Sequence, residues 1–191
     1  MKFLAFGTLG VAVLATGCMT PQEREAAKPG AAITQAEGVK AFSDAVLGHC
    51  LPAIHTDQEF KDFEVKGVTR LRALEENKIS MFENDELPVW QMVEGVVQVQ
   101  LDPGQSCEAQ TFGMPVKASF DVIGNTALQT DYYYSDTDVG YPQDGDALRR
   151  VLVSGNGADK ITLTLTGTKA GEDASPGEYS KLRAVVEKTP E

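Results

Sequence analysis

The chain has 191 residues, with 28 acidic against 17 basic side chains and a formal net charge of −11. A surface this acidic repels phosphate backbones and anionic headgroups, which argues against nucleic-acid binding and against electrostatic attachment to a membrane, and favours cationic partners. The length suits one domain with a core of its own and hardly two.

The chain opens with Lys2, an apolar or small run from Phe3 to Ala15, and then Ala15-Thr16-Gly17-Cys18. A basic start, a short apolar run and small residues before a cleavage point make a bacterial secretory signal. A spanning helix would need about 20 apolar residues. The closing cysteine makes the segment resemble the lipobox of bacterial lipoproteins, with Ala15 where that family most often has Leu. The resemblance implies that residues 1–17 are removed and that Cys18 carries a diacylglycerol and an N-acyl chain of the palmitate kind. Several chains anchor stably where one does not. Met19 stands where an Asp commonly retains such proteins in the inner membrane, so the resemblance implies an outer-membrane anchor facing the periplasm.

Residues 18–33 contain Pro21, Pro29, Gly30 and several charges, the composition of a flexible tether. A single domain is expected over 34–191. Thr34-Gln35-Ala36-Glu37 reads as a capping box. Behind it Val39, Phe42, Val46 and Cys50 recur at helical spacing, and Pro52 is expected to end this first helix. A second capping box at Thr56-Asp57-Gln58-Glu59, with Phe60 and Phe63 one turn apart, predicts a second helix stopped by Gly67. The stretch from Val68 to Leu87 has apolar residues without a single period.

From Val89 the period changes to two. Val97, Val99 and Leu101 alternate with Gln98 and Gln100, then Cys107, Ala109 and Thr111 with Glu108 and Gln110. This hairpin is expected to turn through Asp102-Pro103-Gly104, which pairs Cys107 with Val99 and points the cysteine inward. Pro115 opens a further helix with a stripe of Val116, Phe120, Ile123 and Ala127. A long loop from Asp131 to Asp146 follows, then strands over Leu148–Ser154, Lys160–Thr168 and Tyr179–Lys188. The expected fold is α+β, in the order α-α-β-β-α-β-β-β, with an antiparallel sheet of about five strands, helices on one face and the other face solvated.

With Cys18 assigned to lipid, Cys50 and Cys107 form an even pair in a compartment where disulfides persist, and both fall on buried faces. They are expected to be bonded. The sharper alternatives are a Cys50 nucleophile activated by His49 or His55, or a metal held by these residues. His49 is poorly aimed, since neighbours on a helix diverge by about 100°, and the usual zinc spacings are missing. Asp136-Thr137-Asp138-Val139-Gly140 resembles the start of an EF-hand loop but lacks its third acid, and Ala147 stands where the bidentate Glu belongs. Glu83, Asp85 and Glu86 near Trp90 could be an acid–base pair beside a sugar platform, although such carboxylates are common. Neither a P-loop, a nucleophile elbow nor a complete dinucleotide fingerprint occurs.

The first place to expect a binding surface is the loop bearing Tyr132, Tyr133, Tyr134, Asp136, Asp138, Tyr141, Asp144 and Asp146, because tyrosine joins apolar area to a polar tip. The whole pattern, an early helix with one cysteine and a strand with another, also resembles small uncharacterised envelope lipoproteins of Gram-negative bacteria. The expectation is a lipid-anchored envelope protein with a binding or structural role, without cofactor or metal. Its partner would be an envelope protein or a cationic protein. The alternative is an acidic periplasmic inhibitor of a cationic enzyme such as lysozyme. A thiol- or metal-dependent enzyme is the third reading.

Overall fold

A computed structural model of the chain describes residues 33–60, 67–138, 147–155, 157–168 and 181–189. The first helix begins as the sequence requires. Thr34 accepts from the Glu37 amide through its hydroxyl, and Glu37 reaches back to the Thr34 amide at 2.8 Å, closing the capping box. α1 (Gln35–Ser43) then runs without interruption through a π-helical stretch (Asp44–Cys50) into α2 (Leu51–Thr56). Pro52 therefore does not end the helix. The wider π turn, in which the Leu51 amide bonds to the Val46 carbonyl five residues back, relieves the clash a proline ring makes in regular α geometry.

The helix stops instead at Asp57, which is left-handed (φ 52°), and Thr56 returns its hydroxyl to the Pro52 carbonyl rather than capping a second helix. The expected second capping box is thus the end of the first helix. Residues 61–66, where the rest of that second helix was expected, lie outside the described residues. The segment after Gly67 lies along the π turn: Asp44 accepts from the Thr69 amide and hydroxyl, and Gly48 is so close to Val68 that a Cβ there would sit 2.6 Å from its Cγ1.

The fold is α+β, but among the described residues the sheet has eight strands rather than five. They are β1 (Arg72–Ala73), β2 (Val89–Met92), β3 (Val97–Asp102), β4 (Ser106–Phe112), β5 (Ser135–Asp138), β6 (Ala147–Ser154), β7 (Ile161–Thr168) and β8 (Lys181–Lys188). All pairs are antiparallel, and the spatial order is β1-β2-β3-β4-β8-β7-β6-β5. The last strand, β8, joins the two halves. α3 (Val116–Ala127) buries the expected stripe of Val116, Phe120, Ile123 and Ala127.

Register explains the core. Leu101, Cys107, Val186, Leu163 and Leu152 form one row across five strands, and Val99, Ala109, Ala184 and Leu165 form the next. All of them are buried, on the face that carries the helices. Gly167 lets α3 approach β7 closely: a Cβ there would come within 2.4 Å of Val116. The β3–β4 loop has the expected three residues, but they are Pro103-Gly104-Gln105. Cys107 consequently pairs with Leu101 rather than Val99, and Gly104 takes a left-handed φ of 75°. The shift is by two residues in pairing, which preserves side-chain parity, so Cys107 still points inward and is fully buried.

The opposite face is not uniformly solvated as expected. Gln91, Gln98, Gln100 and Gln110 are buried. Gln98 accepts from the Met81 amide and donates to the Ile79 carbonyl, and Gln100 donates to the carbonyls of Asn84 and Leu87. These amides carry the segment 79–87 across the sheet, supplying backbone partners that an irregular segment would otherwise lack. Among the described residues no helix is long and apolar enough to cross a membrane.

Candidate functional site

Cys50 and Cys107 are bonded, with Cα atoms 5.3 Å apart, and the bridge ties the π turn to β4 at the centre of the core. Cys50 in this state has no thiolate to offer. His49 points elsewhere: its Nε2 lies 3.0 Å from the Thr69 carbonyl and its ring meets Phe60 edge-on. Burial, partly offset by the Thr69 carbonyl and the Asp44 carboxylate, holds its pKa below the ordinary value.

His55 is brought to the tyrosine segment. Its ring stacks on Tyr132 at 3.9 Å, and its Nε2 is 2.9 Å from the Tyr134 hydroxyl. Tyr134 is buried, which pushes its hydroxyl pKa up, with Tyr132 adding to the effect. Burial and then the nearby Lys188 ammonium lower the His55 pKa. Lys188 is itself paired with Asp57, so the carboxylate closest in sequence to His55 is engaged by a cation. His55 and Tyr134 are thus a neutral pair fastening the end of α2 to the segment before β5.

Tyr133 behaves differently from its neighbours. It has a left-handed φ of 57° and is 84 % exposed, while Tyr132 and Tyr134 turn toward His55. Asp136 is in β5, inside the stretch expected to be loop, and grips Arg150 with two bonds of 2.8 Å. Asp138 ends β5, and Tyr141, Asp144 and Asp146 lie outside the described residues. Of the expected surface, Tyr133 is the ring presented to solvent among the described tyrosines, and Asp136 is committed to an internal pair.

The lowered histidine pKa values have a consequence for stability. An unfolded chain binds protons at the ordinary histidine pKa of 6.5, before the folded chain does. Stability from both groups is therefore complete above pH 6.5 and is lost as pH falls through the depressed folded values. Urea unfolding between pH 7.5 and about pH 5, where most carboxylates remain ionised, should show a falling midpoint. Replacing His49 and His55 by Gln should flatten that slope.

Sequence reasoning missed a polar groove on the outer face of the sheet. Gln100 and Glu108 are paired across β3 and β4, and Gln110 and Arg183 across β4 and β8, so alternation places all four on that face. The segment with Met81, Phe82, Glu83 and Asn84 forms the other wall, leaving a groove of about 420 Å³. Arg183 grips Glu108 through two bonds, one of 2.6 Å from Nη2. Hydrogen bonding to Glu108 raises the Arg183 pKa further. Gln110 Nε2 donates to the same carboxylate at 2.6 Å. The outward parity of Gln100, Glu108 and Gln110 was visible in the sequence, but nothing there shows that 79–87 would wall them in.

The carboxylates near Trp90 do not form a site with it. Trp90 pairs with Val99 and packs on Phe60, on the helix side, whereas Glu83 borders the outer groove. Among the described residues, no three His, Cys, Asp or Glu side chains are grouped to hold a metal. No family model, curated protein or solved structure matches the chain.

Proposed function

We propose that this chain is a lipid-anchored envelope protein whose domain binds a partner or ligand rather than catalysing a reaction. The buried Cys50–Cys107 bridge carries the reading, because structural disulfides persist in oxidising compartments outside the cytoplasm. The leader that closes just before Cys18 and the Pro- and charge-rich tether behind it agree with that compartment. The anchor confines the domain to the membrane surface, at the outer membrane on the periplasmic side, and the tether sets its reach. Catalysis receives less support, since the thiol is bonded and both histidines hold positions within the packing.

The test is fractionation of cells producing the full chain or Cys18→Ser. The chain should sediment with the outer membrane and take up labelled palmitate, whereas Cys18→Ser should do neither. A chain that remains soluble and unlabelled would overturn the anchor.

A further inference from the structure

We propose that His55 is an acid-sensitive latch: proton uptake on its Nε2 frees the segment 131–138, including the edge strand β5, from the end of α2 while the core stays folded. The first observation is the clasp itself. The His55 ring stacks on Tyr132, and its Nε2 lies 2.9 Å from the Tyr134 hydroxyl. Tyr134 is buried, and His55 is the sole partner of that hydroxyl among the described residues. The hydroxyl hydrogen therefore needs Nε2 as its acceptor, which only the neutral ring offers. A proton taken from solvent onto Nε2 occupies that lone pair and leaves the buried hydroxyl hydrogen without an acceptor. The charges around the ring do not welcome the cation either. Lys188 faces it from β8, and Asp57, at the end of its own helix, is engaged by that lysine. From the segment it meets the phenols of Tyr132 and Tyr134. Stacking on Tyr132 attracts a cation, but burial and Lys188 prevail, and the His55 pKa lies below the ordinary value.

The second observation is how the segment is otherwise held. β5 is a four-residue strand at the edge of the sheet, paired with β6 alone, and its register shifts between Asp136 and Asp138. The other described long-range bonds of the segment all run to β6: from the Ser154 hydroxyl to the Tyr132 carbonyl, from the Ser135 and Thr137 hydroxyls to β6 carbonyls, and between Asp136 and Arg150. The clasp is what joins the segment to α2. Tyr133, inside it, holds a left-handed φ of 57°, a strained conformation for so bulky a residue. An edge with one neighbour and stored strain is where a fold opens locally before it unfolds. The sign follows from linkage. The open form binds a proton at the ordinary pKa of 6.5 and the closed form only at lower pH. Opening therefore rises as pH falls below 6.5, by up to about tenfold per pH unit. The fixed presentation of Tyr133 to solvent thus depends on pH.

The experiment is amide hydrogen exchange by NMR on the full chain in detergent, corrected for intrinsic rates, between pH 7.5 and about pH 5, where most carboxylates remain ionised. The His55 ring is titrated in the same samples. The opening constant of the Tyr133 and β5 amides should rise about threefold or more on acidification. That opening should be insensitive to dilute urea, the mark of a small local event, whereas β7 should exchange through global unfolding. His55→Phe keeps a stacked ring without a titrating nitrogen and should make the opening independent of pH, while His49→Gln should leave the dependence intact. Tyr134→Phe removes the hydroxyl that selects the neutral ring and should raise the His55 titration midpoint, which serves if His55→Phe fails to fold. The latch is overturned if the opening is flat with pH in the parent chain, or if the segment exchanges only together with β7. An unaltered pH dependence in His55→Phe, or an unmoved His55 midpoint in Tyr134→Phe, overturns it equally.

Discussion

Replacing Cys50 and Cys107 together by Ala should lower the unfolding free energy by about 4 kcal/mol, the chain-entropy value for a loop of this length. The bridge spans 57 residues of sequence, from the π turn to β4, and that loop contains the whole 79–87 segment and the first three strands. Untying it gives the unfolded chain freedom that the native state never had. Both sulfurs are also buried, so loss of their packing adds to the entropic effect. Urea unfolding of the parent chain with and without reductant, beside the double variant, measures this directly. A change below about 1 kcal/mol would mean that the unfolded chain is already restricted in this loop.

The second large effect belongs to a pair that sequence reasoning did not find. Asp136→Ala should destabilise by about 3 kcal/mol, because it removes the two charge-assisted bonds that the buried Arg150 guanidinium makes to this carboxylate. Arg150 is 7 % exposed, beneath α3, where it also donates to the Phe120 carbonyl at 3.3 Å. Its partner lies on the edge strand, with the carboxylate a quarter exposed. Arg150→Met should therefore cost less than Asp136→Ala, since the carboxylate left behind can take up water and the new side chain fills the space. Equal or reversed costs in urea unfolding would assign the stability to the contacts of Arg150 under α3 rather than to the ion pair.

How far the sequence could be read depended on burial pattern. β7 and β8 bury alternate side chains, and β3 and β4 alternate apolar with polar residues although their glutamines are buried too, so period two reveals all four, and the stripe of α3 is equally plain. β5 is Ser-Asp-Thr-Asp, with no apolar residue to alternate. It pairs with β6 at an edge, where the Asp136–Arg150 pair and the bond from the Thr137 hydroxyl to the Val151 carbonyl hold it. β1 is two residues long, and β2 faces inward with Trp90 and Met92 but outward with Val89 as well as Gln91, which blurs the alternation. Pro52 reads as a terminator because local rules assume α geometry, and a π turn has no signal in the sequence. The disulfide could be inferred because two separate periodicities placed both cysteines inside. The groove could not, because its second wall is an aperiodic segment held by glutamine amides on the sheet.

The central claim joins a lipid on Cys18 to a stapled domain outside the cytoplasm, and one intact-mass measurement on the chain extracted from membranes reads both. The expected mass is that of Cys18–Glu191 plus a diacylglyceryl group and an acyl chain, and reduction should add the mass of two hydrogen atoms. A chain that keeps its leader or carries no lipid would contradict the anchor. An unchanged mass on reduction would contradict the staple and return His49, Cys50 and His55 to consideration as a reactive group.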